Sequence, residues 1–292
     1  MFRFIFIALA LVCTGASAQT ATPYVLEGTE VRDIRSALLG RDYQLFVSLP
    51  ASYARNPERR YPVLFLTDAN YGFPLVRSLA RRIANGGRDV EDFILIGLSY
   101  AVGETPEHSR RRDYTVTATG VANAKSDMPG RAAVFGEAEG YRRHLVQEVF
   151  PLVASAYRAD MDRKVFFGHS YGALLGAHVL LTSPRMFEHY ILGSPSLWFD
   201  KRVMFTREAQ YAAAQRDLPA RVYMIAGALE ASKNPDDDLV ADMLAFERML
   251  KSRNYPGLEI RSSVIADEDH LTVAPAVLTR GLKWAFAPRP VK

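Results

Sequence analysis

The pentapeptide Gly168-His169-Ser170-Tyr171-Gly172 constrains this chain more than any other stretch. It reads G-x-S-x-G. Before it stands Lys164-Val165-Phe166-Phe167, an apolar run suited to a buried strand. After it, Tyr171 to Leu181 reads as a helix stopped by Ser183-Pro184. Strand, tight turn and helix is the setting in which this pattern becomes a nucleophile elbow: the serine takes an unfavourable backbone conformation and its Oγ is exposed at the strand's end. Glycine is required at 168 and 172 because a Cβ there would collide with the crossing strand or helix. Gly176, one helical turn on, also allows close approach. The competing reading is a glycine-rich turn in which Ser170 merely caps the helix. Residues further along the chain argue against it.

The surrounding pattern is that of an α/β chain. Val31 to Ala37 and Tyr43 to Ser48 alternate polar and apolar residues, as an antiparallel pair does. Tyr61 to Thr67 and Phe93 to Leu98 are apolar runs typical of a sheet covered on both faces. A helix is expected from about Pro74 to Gly86-Gly87, and another from about Glu137, kinked at Pro151. Further strands are expected at Tyr190 to Gly193, Arg221 to Ala226 and Ile260 to Ile265. Asn234 and Pro235 look like the cap and first residue of a helix running to Ser252, and Leu271 to Phe286 reads as the last helix. Alternating strands and helices predict a mostly parallel sheet with helices on both faces. Residues 101–136 break the rhythm: they form a long polar, glycine-rich stretch after the fourth strand, expected to be a cap-like loop.

Residues 1–18 read as a cleaved export signal. Met1-Phe2-Arg3 is positive, Phe4 to Val12 is apolar but too short to span a bilayer, and Ala16-Ser17-Ala18 fits a cleavage site. This predicts a periplasmic or secreted protein without a stable membrane anchor, its mature part, 19–292, being a single α/β domain. Cleavage after Ala18 would remove Cys13, the chain's one cysteine, and with it any disulfide or cysteine-based metal site. The net charge of +4, from 36 basic and 32 acidic residues, is too mild and dispersed to point to nucleic acid. No metal motif is present: H-E-x-x-H is missing, and the Asp236 to Asp238 run lacks the spacing of a calcium loop. No cofactor is expected.

Ser170 needs a base, and His270 is the best placed of six histidines, since it follows the last strand in Asp267-Glu268-Asp269-His270. Active-site groups of parallel sheets collect at carboxyl ends of strands. His169 adjoins Ser170, but its side chain should project elsewhere. For the orienting carboxylate, the order Ser, acid, His selects Glu230, which follows the strand ending at Ala226. Asp236, Asp237 and Asp238 are rivals that read better as a helix start. The oxyanion donors are expected at the backbone N–H of Tyr171 and of Asn70, with Tyr71 next.

Gly168-His-Ser-Tyr-Gly-Ala, Ser194-Pro-Ser-Leu-Trp-Phe, Gly227-Ala-Leu-Glu230 and Glu268-Asp-His270 resemble the esterase D-like family of α/β-hydrolases. The nearest branch is that of the enterobactin and bacillibactin siderophore esterases; Tyr61 to Asp68 and Arg112-Asp-Tyr-Thr115 are similar to it as well. The resemblance covers most of the mature chain and implies an α/β-hydrolase fold. It also implies Ser170 as nucleophile, His270 as base and Asn70 and Tyr171 as oxyanion donors. The chain departs from the pattern at Asp68-Ala69, where relatives often have glycine second. Relatives also differ in where the acid stands.

The expectation is an exported serine esterase acting through an acyl-enzyme, with an acyltransferase, a general carboxyl or feruloyl esterase, and a catalytically silent binder as the competing readings. Arg110, Arg111 and Arg112 lie in the long loop leaving a strand's carboxyl end. Either they form a solvated basic run, or one faces the cleft and attracts an anionic ligand such as a ferric triscatecholate. Arg112 is the expected ligand contact, because Asp113 could pin the loop and Tyr114 and Trp198 could supply aromatic walls.

Overall fold

The computed structural model describes residues 21–288 except 22, 85–88, 122–123, 235 and 237. The export signal of residues 1–18, Gly86-Gly87, Pro235 and Asp237 lie outside the described residues. Eight strands form one sheet: β1 (Thr29–Ser36), β2 (Arg41–Ser48), β3 (Tyr61–Leu66), β4 (Ile94–Leu98), β5 (Ala159–His169), β6 (His189–Gly193), β7 (Ala220–Gly227) and β8 (Leu258–Ile265). Their spatial order is β1-β2-β4-β3-β5-β6-β7-β8. The hairpin β1–β2 and the pair β2–β4 are antiparallel; from β4 to β8 every pair is parallel. This is an α/β-hydrolase fold.

Every side chain of β3 is buried, and alternation sends them to opposite faces. Val63 and Phe65 enter one core cluster, Leu64 and Leu66 the other. The second cluster is closed by α1 (Ala69–Ile83) and α8 (Ala274–Ala285). The first is closed chiefly by α3 (Ala138–His144), α5 (Tyr171–Thr182), α6 (Phe199–Ala214) and α7 (Leu239–Ser252). α5 is buried along nearly its whole length, which explains why its sequence is apolar all round. Within residues 101–136, Pro106–Tyr114 forms a further helix, α2, packed on α5 and α3.

Several boundaries differ from those read in the sequence. α1 starts at Ala69, ahead of Pro74, because Asp68 turns into the left-handed region (φ 54°) and its carbonyl accepts from the N–H of Gly72 at 2.8 Å. Near Pro151 the helix does not simply kink. A π-turn at Leu145–Val149, in which the Phe150 N–H reaches the Leu145 carbonyl, joins α3 to α4 (Phe150–Ala156). Widening the turn just before a proline accommodates its missing N–H. α7 is capped by Asp238, whose carboxylate accepts from Ala241 N–H at 2.8 Å, and not by Asn234, which closes a local turn with Asp236 N–H (3.1 Å). α6 was not among the expected helices: its first turn, Asp200-Lys201-Arg202, is left-handed (φ 44°, 54° and 60°), and Asp200 is held by the hydroxyls of Thr117 and Thr119.

His178 shows how α5 is fixed. Arg207 of α6 donates to its Nδ1 at 2.9 Å, so the neutral ring carries its proton on Nε2, which faces Glu139 of α3 at 3.2 Å. Burial first, and the Arg207 charge second, lower its pKa to about 4. A histidine kept neutral in the fold binds a proton in the unfolded chain below about pH 6.5 but not in the folded one until about pH 4. Stability should therefore fall as pH drops through that window. His178→Gln should remove up to about 1.4 kcal/mol of that loss per pH unit, read from urea unfolding at pH 7, 5.5 and 4.5. An unchanged pH slope would show that His178 is protonated in the fold.

Candidate active site

The carboxyl ends of six strands deliver their following residues to one rim. These are Asp68 after β3, Tyr100 after β4, Ser170 after β5, Ser194 after β6, Glu230 after β7 and His270 after β8. Four of them, Asp68, Tyr100, Ser170 and His270, line a slot of about 300 Å³ between α1 and α8, and Glu230 and Ser194 are joined to it through His270.

Ser170 sits at the turn from β5 to α5 with φ 58° and ψ −120°, a conformation that is strained for a residue with a side chain. Its N–H donates to the Gly193 carbonyl (2.9 Å), and its carbonyl accepts from Leu174 N–H (3.0 Å). The two glycines are required by contact: a Cβ on Gly168 would lie 2.3 Å from the Gly172 carbonyl oxygen, and one on Gly172 2.3 Å from Thr67 Oγ1. Ser170 Oγ lies 3.3 Å from Ser196 Oγ and opens on the slot.

His270 lines the same slot, and its Nδ1 is 2.6 Å from Glu230 Oε2. With Nδ1–H donated to the carboxylate, Nε2 is left as an acceptor, the form a base needs. Glu230 Oε1 accepts from Ser194 Oγ (2.7 Å) and from Gly227 N–H (2.7 Å). Burial pushes the Glu230 carboxyl up, but the bonds from His270, Ser194 and Gly227 outweigh it and hold its pKa below the usual glutamate value. A Cβ on Gly227 would lie 2.2 Å from the Glu268 carbonyl oxygen, so the acid's turn and the histidine's loop pack backbone to backbone. The rival acids stand elsewhere: Asp236 is exposed and Asp238 caps α7; Asp269, next to His270 in sequence, accepts from Leu271 and Thr272 N–H.

His169 packs its ring 4.7 Å from that of His270. Burial, and then the neighbouring imidazole, lower its pKa to about 4, so it is neutral beside His270 at ordinary pH. Tyr171 N–H, at the first position of α5, has no acceptor within its helix. On the first turn of α1, Tyr71 N–H donates to the Asp68 carbonyl (3.0 Å), while the Asn70 side chain accepts from Tyr100 N–H (3.2 Å). Asn70 lies on a neighbouring shallow pocket and Tyr71 on the slot.

The arginine expected in the cleft is not Arg112. Its side chain is 4% exposed and tied to both oxygens of Glu104 (2.8 and 2.7 Å) and to Asp113 (2.9 Å). Tyr114 is buried, with its hydroxyl 3.4 Å from Asp68 N. Trp198 packs against Tyr171 (6.1 Å between ring centroids), away from the slot lining. None of the three lines the slot. On α2, residues two apart point to different sides, and the slot receives Arg110. Arg110 pairs with Asp68 (Nε–Oδ1 3.1 Å), lies 5.3 Å from the Tyr171 ring, and shares Asp68 with the Tyr100 hydroxyl (2.8 Å). Asp68, Tyr100 and Ser194 carried no role in the sequence; the one available signal was their position just past strand ends.

Fold and site together define a serine hydrolase of the α/β-hydrolase class. The "Putative esterase" family model matches residues 36–255, and the chain belongs to that family. It is similar to the ferri-bacillibactin esterase BesA of Bacillus subtilis, 30% identical over 281 residues, 92% of this chain and 93% of that protein. It is also 30% identical over 163 residues to a siderophore triacetylfusarinine C esterase of Aspergillus fumigatus, covering 55% of this chain and 53% of the other. Among solved structures, an IroE-like serine hydrolase from Shewanella oneidensis superposes with a TM-score of 0.75 at 24% identity, over 88% of this chain and 80% of that one. The chain is thus a serine ester hydrolase.

Ser194→Ala removes one of three donors to Glu230. A hydrogen bond to a charged group contributes about 1.5 kcal/mol or more, so kcat on p-nitrophenyl acetate should fall about tenfold with KM little changed. Unaltered kcat would mean that Glu230 does not depend on Ser194.

Proposed function

We propose that this chain hydrolyses the ester bonds of siderophores, with Ser170 as nucleophile, His270 as general base and Glu230 as the orienting acid. The observation that carries the catalytic part is the 2.6 Å contact between His270 and Glu230 on the slot that a strained Ser170 opens into. Ser170 Oγ attacks the ester carbonyl carbon and His270 Nε2 takes the hydroxyl proton. Glu230 stabilises the imidazolium without taking the proton itself. Tyr171 N–H and the N–H of Asn70, on the first turn of α1, are the proposed donors to the oxyanion. The C–O bond to the alcohol breaks, the alcohol leaves with the proton from His270, and water activated by the same imidazole releases the acid.

The substrate class rests on the relatives, which are described as acting on ferri-bacillibactin and on triacetylfusarinine C. Arg110 and the rings of Tyr71 and Tyr100, which line the slot, provide the cationic and aromatic surface that a bulky, anionic ferric triscatecholate would use. The reading includes export, for which the support is the sequence of residues 1–18.

Ser170→Ala and His270→Ala should each lower ester hydrolysis by about a thousandfold or more, Ser170→Ala should lose labelling by a fluorophosphonate, and Glu230→Gln should be milder. Wild type should release hydrolysis products from a ferric triscatecholate trilactone, followed by chromatography. Arg110→Gln should raise KM for that substrate far more than for p-nitrophenyl acetate, whereas Arg112→Ala should harm both alike. Equal effects of Arg110→Gln on the two substrates would leave a general carboxylesterase.

A further inference from the structure

A second cavity, of about 440 Å³, lies at the opposite ends of the strands that build the slot. Arg59 leads into β3, and Glu91, Asp92 and Phe93 lead into β4, whereas the slot collects residues that follow the same two strands. No residue lines both. Four arginines line this cavity, in two pairs with a spacing of four: Arg55 and Arg59 ahead of β3, and Arg77 and Arg81 along one side of α1. Two carboxylates line it as well, and both are engaged. Glu91 accepts two bonds from Arg163, which stands outside the lining (3.0 and 2.5 Å), and meets Arg59 at 3.5 Å. Asp92 accepts from the Ser52 hydroxyl.

Among the described residues no carboxylate pairs with Arg55, Arg77 or Arg81. Arg77 and Arg81 donate instead to one backbone carbonyl, that of Glu27, and the Arg77 Nε is buried with no acceptor. A guanidinium has five N–H donors and keeps its charge at any ordinary pH, so a shared carbonyl leaves most of that capacity unused. A cation in the last turn of α1 also offsets the negative end of the helix, which accounts for Arg81. It does not account for Arg77, one turn earlier, or for Arg55, on another segment.

We infer that this cavity binds a phosphate monoester, either a soluble one or the headgroup of a phosphorylated lipid. Four guanidinium groups against two engaged carboxylates leave an excess of positive charge that suits a dianion, and the arginine fork matches two phosphate oxygens at once. Leu49, Phe93 and Leu95 add apolar surface to the same lining, which suits the organic part of an ester. The volume is that of a small-ligand site. No bond is made or broken there, and the inference stands apart from the ester-cleaving site and its substrate.

Calorimetric titration of the protein with phenyl phosphate, at pH 7.5 and physiological salt, tests this. One phenyl phosphate should bind per chain, about tenfold or more tightly than benzoate, which brings a single charge. Arg77→Gln and Arg55→Gln should each weaken binding by about tenfold, the loss of one charge-assisted hydrogen bond, while kcat/KM on p-nitrophenyl acetate stays at the wild-type value. Arg55 does not hold the Glu27 carbonyl, so its variant keeps the test alive if Arg77→Gln disturbs the fold. Sedimentation with phosphatidylcholine vesicles, with and without phosphatidic acid, separates the two sources. Retention only on the phosphatidic acid vesicles, lost in Arg55→Gln, assigns a lipid headgroup; binding of phenyl phosphate without retention assigns a soluble ester. Binding of neither, equal affinity for benzoate, or affinity unmoved in both variants overturns the inference. So does a loss confined to Arg110→Gln, which would place the anion at the slot.

Discussion

The backbone of Ser170 is the constraint on which the site depends. Holding a serine at φ 58° and ψ −120° costs about 1–3 kcal/mol, and the conformation persists only where its surroundings fix it. Here they do so from three sides. Gly193 of β6 accepts from its N–H, the first turn of α5 takes its carbonyl, and Gly168 and Gly172 let the strand and helix cross at a distance no side chain would permit. Thr67 of the neighbouring strand end fills the space against Gly172. The elbow is thus a property of the packed sheet rather than of five residues, and the burial of nearly all of α5 provides the tertiary energy that offsets the strain.

The same packing sets the electrostatics. Glu230 reaches His270 because Gly227 allows its turn to touch the Glu268 backbone. Once there, the carboxylate takes donors from Ser194, Gly227 and His270, which keep it ionised in spite of burial. Ser194 is itself in the left-handed region (φ 42°), a second strained residue whose side chain meets the acid. His169, kept neutral by burial, packs on His270 without adding a charge that would oppose formation of the imidazolium. Two strained serines at the ends of adjacent strands, Ser170 opening on the slot and Ser194 bonded to Glu230, bracket the His270–Glu230 pair.

The strands and the elbow were legible because they rest on local pattern: apolar runs of strand length, glycines at fixed offsets, and residues that follow strand ends. Glu230 and His270 were legible for the same reason. The acid was separable from Asp238 only because a carboxylate ahead of an apolar helical run is a cap, which the structure shows with the bond to Ala241 N–H. Arg112 was misread because a run of arginines carries no phase. Only the rotation of α2 against α5 decides which one turns inward, and that is set by the contacts of Asp113 with Tyr43 and of Ser109 with the Ala101 N–H. The start of α6 was illegible because its left-handed first turn depends on Thr117 and Thr119, some eighty residues earlier in the chain.

Placing Arg110 and not Arg112 at the slot changes the physical basis of selectivity. An arginine alone at the rim would attract anions over a distance of about a Debye length, roughly 8–10 Å. Arg110 is paired with Asp68, and that carboxylate is further bonded to Tyr100, so the pair presents a dipole and a cationic face against Tyr171 more than a net charge. Discrimination by such a group acts at contact, where a ligand oxygen must compete with Asp68 for the guanidinium, and is weak at long range. Leu75, Phe167 and Leu278 line the same slot with apolar surface, which lowers the competition of water for that contact. Selectivity for a charged ligand group at this slot would therefore rest on contact with the Arg110–Asp68 pair rather than on attraction from a distance.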